Sequence, residues 1–367
     1  MFIKQIDRND LLKPLQAVVG IVERKQPLPI LSNVLIKRSR EGVKFVTTDL
    51  EIQIEAQFKA EFDGTESAIT ISAKKLQEIL RAISDNSSVS LDEQDNRLLV
   101  KANKSRFSLQ TLPPQDFPVL AEQLDGAAKV EIQQGVLRRL LSSVQYAMAQ
   151  QDIRYYLNGV LLVIDGTSIK LIATDGHRLA FISEKLDQTY KKQEIILSRK
   201  TVNELLKLLQ DSEEKVQLEL AEKQVRISFA DVVLTSKVID GKFPDYNRVI
   251  PSHSNHLKLD RLTLLQALQR AAILSNEKFR GVRLLLTEKN LRIISSNSEQ
   301  EEAQEDIEND YQGAPLDIGF NVNYLLDGIN NISTQSLVLS FGDQNSSLLI
   351  TIPEKDDYKY VVMPMRI

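Results

Sequence analysis

Three segments of this 367-residue chain follow one plan in one order, and a plan kept in register restricts the fold more than any single motif does. Each segment opens with an amphipathic stretch. Ile6–Val18, Ile132–Val144 and Leu259–Ala272 start 126 and 127 residues apart. Leu11, Leu12 and Leu15, then Leu137, Leu140 and Leu141, then Leu262, Leu265 and Leu268 recur at helical spacing. A strand pattern then runs into a small polar corner and out again, at Val43–Ala56, Ile169–Ser183 and Leu291–Ile307. Thr48-Asp49 lies 126 residues before Thr174-Asp175, and Ser296-Asn297 follows 122 later. A second helical pattern comes next, Ser72–Ile83, Ser198–Leu209 and Asn321–Ile332, each led by a polar residue in the N-cap place. A closing strand is expected to end at Phe117-Pro118, Phe243-Pro244 and Met363-Pro364. The spacing predicts a triplicated α+β chain. Each repeat holds two helices and antiparallel strands such as Val89–Leu91, Leu98–Lys101, Val216–Leu220 and Val225–Phe229. Linkers near Leu124–Lys129 and Pro251–His256 set the domains at 1–128, 129–254 and 255–367.

Composition removes whole classes of function. The absence of cysteine excludes disulfides, thiol catalysis and Cys-ligated zinc. None of the 14 glycines stands two or five residues from another, which excludes the usual dinucleotide and phosphate loops. Apolar runs are short, such as Val160–Ile164, well below the ~18 residues that cross a membrane. Met1–Asp10 is charged where a secretory signal is apolar, so a cytoplasmic protein is expected. An Asp175–His177 pair invites a hydrolase or transferase reading, but no nucleophile or oxyanion loop accompanies it, and Asp175-Gly176 reads as turn chemistry. His253 and His256 sit in a linker without cysteine or an adjacent acidic ligand, and read as solvated rather than metal-binding.

Charge is segregated. The six candidate helices together carry +7, which leaves −11 for the rest of a chain whose net charge is −4. A repeated basic helix layer suits a phosphate backbone bound without reading sequence. Glu299–Asp310 is the opposite extreme, with seven acidic and no basic residues among twelve. The edge in repeat one carries Arg97, Lys101, Lys104 and Arg106. Complementary edges at the two ends of one chain predict a head-to-tail contact between copies.

Over essentially its whole length the chain resembles the bacterial sliding-clamp family, the beta subunits of DNA polymerase III. The resemblance is carried by the motifs at Lys13–Gln16, Leu28–Leu31, Thr48–Glu51, Ser105–Leu109, Phe117-Pro118, Gln151–Gly159, Ala173–Ala180, Lys242–Tyr246, Ala271–Leu284, Glu299–Glu305, Gly319–Asp327 and Val361–Ile367. It implies three clamp domains per subunit in a head-to-tail dimeric ring, with helices lining a hole that holds duplex DNA and sheets outside. It further implies a processivity factor with no catalytic site, no metal and no cofactor. The implied partners are duplex DNA bound without sequence preference, the replicative polymerase, an ATP-dependent clamp loader, and other polymerases and repair proteins that dock through short peptides. The residues carried over for DNA are Arg24, Lys25, Gln151, Tyr155, Tyr156 and Arg199, with Lys74 from the basic second helix.

For a peptide groove the resemblance implies Leu157, Thr174, Gly176, His177, Arg178 and Leu179 around the second corner. Pro244, Arg248 and Val249 follow, then Asn321, Tyr324 and Ser347, and finally the tail residues Val361, Met363, Pro364, Met365 and Arg366. Apolar members suit aliphatic and aromatic anchors, and flexible Met adapts to several ligands. A cation, Arg178 or Arg366, is expected to hold the polar end of a peptide. Across the subunit interface the resemblance places Phe107 and Leu109 against Ile273 and Leu274. Arg97, Lys104 and Arg106 then face Glu299, Glu301, Glu302 and Glu305.

Overall fold

The structure, a computed structural model, describes residues 2–23, 28–62, 65–120, 124 and 126–366. Among these are six α-helices, two per repeat: α1 (Arg8–Val18), α2 (Ala73–Ala82), α3 (Gln134–Ser142), α4 (Arg199–Leu208), α5 (Arg261–Ile273) and α6 (Val322–Asn330). The expected strands are present, within Ser88–Gln94, Arg97–Ala102, Lys215–Leu220 and Gln224–Phe229. Capping follows side-chain chemistry. The Asp7 carboxylate accepts from Asn9 N–H, Asp260 from Thr263 N–H, Ser198 Oγ from Thr201 N–H, and Asn321 from Asn323 N–H. Ser72, expected to cap α2, makes no side-chain bond there.

Several expected bounds shorten. α1 ends at Val18 and tightens into a single turn at Val19–Ile21, and Lys258 lies in the strand Asn255–Asp260 rather than in α5. Within the observed bounds the helices hold twelve basic and four acidic residues, a net +8, so the segregation is sharper than the sequence pattern gave. The prolines at Pro118 and Pro244 do not end strands. Those strands stop at Leu112 and Lys237, and the chain turns back so that Phe117 and Phe243 are buried instead. No helix among the described residues is long and apolar enough to cross a membrane.

By contact density the chain divides into two compact units. The first takes Met1–Leu137 with Asn203–Val238. It is built on one antiparallel twelve-stranded sheet in the order Ile3–Asp7, Ser88–Gln94, Arg97–Ala102, Ser105–Leu112, Ser67–Ser72, Asn33–Arg38, Gly42–Thr48, Ile52–Lys59, Val232–Lys237, Gln224–Phe229, Lys215–Leu220, Ala128–Gln133. Leu11 and Leu15 of α1 and Leu76 and Leu80 of α2 are fully buried, at about 1.5–3 kcal/mol each. The second unit takes Arg138–Val202 with Ile239–Ile367. Its six-stranded sheet runs Gly159–Thr174, Arg178–Ser198, Lys355–Val362, Leu348–Ile352, Ser336–Phe341, Asn255–Asp260. Its four-stranded sheet runs Glu302–Glu308, Asn290–Ser296, Gly281–Thr287, Leu316–Asn321.

The reason repeats merge into larger units is a seam used twice. The strand leaving the corner of one repeat pairs with the closing strand of the next. Ile52 stands opposite Ser236, and Arg178 stands opposite Val362, the same register displaced by 126 residues. The third corner has no such partner among the described residues. Its outgoing strand Glu302–Glu308 is a sheet edge. The closing strand of repeat one, Ser105–Leu112, pairs fully with Arg97–Ala102 but on its other side only through Thr111 and Leu112. Two open edges at opposite ends of the chain are templates for pairing.

Candidate functional site

The second corner is built by local hydrogen bonds that its sequence dictates. Thr174 Oγ1 donates to Arg178 O (2.6 Å) and accepts from Gly176 N–H (3.1 Å), while Asp175 Oδ1 accepts from the His177 and Arg178 N–H groups (2.9 and 3.0 Å). Gly176 has φ +88°, and a Cβ there would meet the Arg154 guanidinium at 3.0 Å, so only glycine fits without strain. The Asp175–His177 relation is thus carboxylate to backbone. The ring of His177 is exposed and lies 6.4 Å from the Tyr324 ring, which leaves no catalytic dyad.

Beside the corner opens a cleft of about 320 Å³, lined by Leu157, Thr174, Gly176, Arg178, Leu179, Pro244, Val249, Val361 and Met363 from the expected set, and by Arg154, Phe243 and Tyr246, which sequence reasoning did not place there. Its floor is one apolar cluster in which Leu157, Leu179, Phe181, Phe243 and Val361 are buried. Two backbone bonds fix the wall made by the tail, Met363 N–H to His177 O and Met365 N–H to Gly319 O, both 2.8 Å. The remaining expected residues lie outside the lining. Asn321 caps α6, Ser347 offers its carbonyl to His253, Arg248 is exposed and paired with Asp245 at 3.0 Å, and Arg366 is exposed after Pro364.

Arg178 is not the accessible cation the sequence suggested. Its side chain is largely buried, and each guanidinium nitrogen is engaged: Nε with Asp175 at 3.0 Å, Nη1 with Asp327 at 2.5 Å, Nη2 with Tyr146 O at 2.7 Å, and its face over the Tyr324 ring at 4.6 Å. Burial works against its charge, and Tyr360, Asp327 and Asp175 outweigh that, so its pKa rises above the ordinary arginine value. Around it the Tyr146 and Tyr358 hydroxyls meet at 2.8 Å and Tyr360 donates to Tyr324 O at 2.8 Å, and burial pushes all three phenols up. This cluster fastens α6 to the corner. The half-exposed cation of the cleft is Arg154.

The nucleic-acid candidates divide. Arg24 and Lys25 lie outside the described residues. Lys74 is half-buried on α2. Gln151 is exposed at φ +54°, and Tyr155 is 57% exposed, its ring 5.8 Å from that of Tyr156. Both tyrosines crowd Gly241. Arg199 instead holds the loop in place, with its N–H on Asn158 O (3.0 Å) and Nη1 on Met148 O (3.2 Å). His253 and His256 take separate partners, Ser347 O and Ser340 Oγ, and no group of three metal-ligating residues occurs among the described residues.

At the open edges, Arg106 is exposed while Phe107 and Leu109 are half-buried on the opposite face of their strand. Arg97 donates to Ser108 Oγ. Ile273, at the end of α5, is 76% exposed, with Leu274 as its C-cap and half-buried. Glu299, Glu301 and Glu302 are exposed. Glu305, expected to face the basic edge, is bidentate to Arg270 of its own chain (2.8 and 2.6 Å), because strand alternation turns it toward α5.

Three family models match the chain in order: DNA polymerase III beta subunit N-terminal domain at residues 1–121, central domain at 131–245 and C-terminal domain at 247–366. The beta sliding clamp of Pseudomonas putida is 44% identical over 365 residues, 99% of either chain, and that of Escherichia coli K12 39% over 363 residues. A crystal structure of the DNA polymerase III subunit beta from Pseudomonas aeruginosa superposes with a TM-score of 0.96 at 42% identity, covering 99% of this chain and 100% of that one. Another from that organism, a sliding clamp bound to griselimycin, gives 0.95 at 43% identity with 99% of each chain covered.

Proposed function

The chain belongs to the DNA polymerase III beta-subunit family, the DNA sliding clamps, and from that premise we propose that two copies close head to tail into a ring around duplex DNA and tether the replicative polymerase at the Thr174–Leu179 cleft. It is a processivity subunit without catalytic activity of its own. Tethering works by effective concentration: a polymerase that lets go of DNA rebinds before it diffuses away. Domains divide at 128/129 and 254/255, and the protein works in the cytoplasm.

The observation that carries the ring is the unmet third seam. Copying the register of the two internal seams onto the third corner sets Glu302 opposite Ser108 and Gln304 opposite Arg106 of a second copy. That register brings Glu302 diagonally beside Arg106 on one face. Ala303 then meets Phe107 on the face that α5 covers, where Ile273 and Leu274 end the helix. Glu299 and Glu301 supply the rest of the acidic side, Arg97 and Lys104 of the basic side. The apolar contacts hold the interface, and the exposed ion pairs add about 0–1 kcal/mol each. Sedimentation of an Ile273→Ala/Leu274→Ala variant should show folded monomer at low micromolar concentration where the wild type is dimer; a variant that stays dimeric places the interface elsewhere.

The net +8 of the helices attracts phosphates without reading bases, with Arg24, Lys25, Lys74, Gln151, Tyr155 and Tyr156 as the contacts. Arg199 positions the loop. In the cleft, a short peptide with a Gln and paired Leu/Phe anchors buries its apolar side chains against Leu157, Leu179, Val249, Val361 and Met363. The griselimycin complex of the Pseudomonas aeruginosa clamp supports a ligand-accepting site on this fold. Clamp loader, other polymerases and repair proteins use the same cleft. Deleting Met363–Ile367 removes one wall, so peptide binding should be lost with the dimer intact; unchanged peptide affinity would move the partners to another face.

A further inference from the structure

Arg154 belongs to two surfaces at once. It is the half-exposed cation lining the cleft, and it sits in the loop that presents Gln151, Ile153 and Tyr155 outward, Ile153 being 96% exposed. The loop is tied from inside. Asn158 Nδ2 donates to Asp152 O at 2.9 Å, and its Oδ1 accepts from Asp152 N–H at 3.0 Å. The Asp152 carboxylate in turn accepts from Arg154 N–H (2.8 Å), Nε (3.0 Å) and Nη2 (2.8 Å). These bonds to Arg154 hold the Asp152 carboxyl at about 2. Nη2 also reaches Asp175 O, at 3.2 Å, on the corner itself. One guanidinium therefore joins the loop to the corner, and its Nη1 and Nη2 both lie 3.0 Å from where a Cβ on Gly176 would sit, so a glycine there leaves room.

We propose that Arg154 couples the two sites, so that a peptide seated in the cleft strengthens DNA binding by the Gln151–Tyr155 loop. The inference rests on the cleft and DNA readings above. The coupling follows from donor counting. Nε and Nη2 are spent on Asp152 and Asp175, and Nη1, beside Gly176 on a residue that lines the cleft, carries two further N–H groups. A peptide carbonyl or Gln side-chain oxygen accepting from Nη1 completes the fork and fixes the guanidinium. Because that guanidinium grips Asp152 at two oxygens, fixing it also orders the loop on which Ile153 and Tyr155 stand. The DNA then binds a loop already ordered, and part of the entropy cost is met beforehand. Linkage makes the effect reciprocal: DNA must raise peptide affinity by the same factor.

The test uses the full-length protein, a fluorescent linear 20-base-pair duplex at low salt, and the synthetic peptide Ac-Gln-Leu-Ala-Leu-Phe. Saturating peptide should tighten duplex binding about fivefold in the wild type. In Asp152→Asn the carboxylate that receives the fork is gone, and the effect should fall below about twofold while peptide affinity stays near wild type. Arg154→Lys, which keeps the charge and loses the fork, should also lose the coupling and serves if Asp152→Asn is poorly folded. Peptide and DNA that each bind the wild type without influencing one another overturn the coupling and leave the cleft reading intact. So does tightening that survives both substitutions, or weakening by peptide. Failure of the peptide to bind the wild type overturns the cleft reading and the coupling with it.

Discussion

The corners at Thr48 and Thr174 share one backbone and differ in nearly every side chain that matters. In repeat one, Thr48 Oγ1 donates to Ile52 O (2.9 Å) and accepts from Leu50 N–H (3.1 Å), and Asp49 Oδ1 accepts from the Glu51 and Ile52 N–H groups (2.9 and 2.8 Å). The bonds at Thr174 repeat these one for one. Lys237 N–H reaches Glu51 O at 2.9 Å, just as Met363 N–H reaches His177 O. Yet Leu179 and Phe181, the buried floor of the cleft, are replaced by Gln53 and Glu55. Gln53 Nε2 donates to Glu55 at 2.8 Å, Lys44 pairs with Glu55 at 3.1 Å, and the linker backbone at Leu120 donates to Gln53 Oε1 at 2.7 Å. Beside these polar side chains a small apolar group, Leu35, Val46 and Phe117, is buried. The fold supplies the corner three times; two or three side chains decide whether it becomes an apolar cleft or a place for the chain's own linker.

Substitutions that swap the two corners rank this account. Leu179→Gln places an amide in an apolar floor with no Glu55 or Leu120 N–H to meet it, and should cost about 3–5 kcal/mol in denaturant unfolding together with peptide binding. Arg178→Ala strands Asp175 and Asp327 beside the buried tyrosines and should cost about 3 kcal/mol, while Ile52→Val at the equivalent place costs about 1. Gly176→Ala forces φ +88° on a side chain against Arg154 and should lower stability by about 1–2 kcal/mol. Leu50 already stands at φ +77°, so Leu50→Gly should be neutral or stabilising by up to about 1 kcal/mol in thermal melts. The smallest effect is electrostatic. The Asp152 carboxyl, held at about 2 by Arg154, contributes at neutral pH and is lost only as pH falls toward 2. An NMR titration that finds it near the ordinary aspartate value would break the loop-to-corner tie.

The helices, the corners and the acidic edge were legible because each is local: a 3.6-residue period, an Asx turn, a run of carboxylates. What sequence could not show depends on distance. Asp327, which spends Arg178, is 149 residues away, so a buried pin read as a free cation. Arg154 drew no reading of its own, because nothing local says that it reaches Asp175 O, 21 residues away. Phe243 read as a strand end; its burial in the cleft floor becomes visible only when the chain turns back past Lys237. Glu305 read as an interface charge because the parity of its strand against α5 is a tertiary fact, although Arg270 at the other end of that pair is visible in the sequence. The two-unit partition was hidden for the same reason, since the seams that merge repeats are pairings between residues 184 apart, as at Ile52 and Ser236 or at Arg178 and Val362.

Topological retention is the claim on which the function stands, and one measurement reaches it. Clamp assembled on a nicked circular duplex is followed by gel filtration before and after a restriction enzyme linearises the circle. A closed ring should stay with the circle through moderate salt, which weakens contacts to phosphate, and should leave within minutes once free ends exist. Equal retention on circle and linear DNA, or loss from the intact circle at the same salt, would contradict the ring and return the protein to ordinary electrostatic binding.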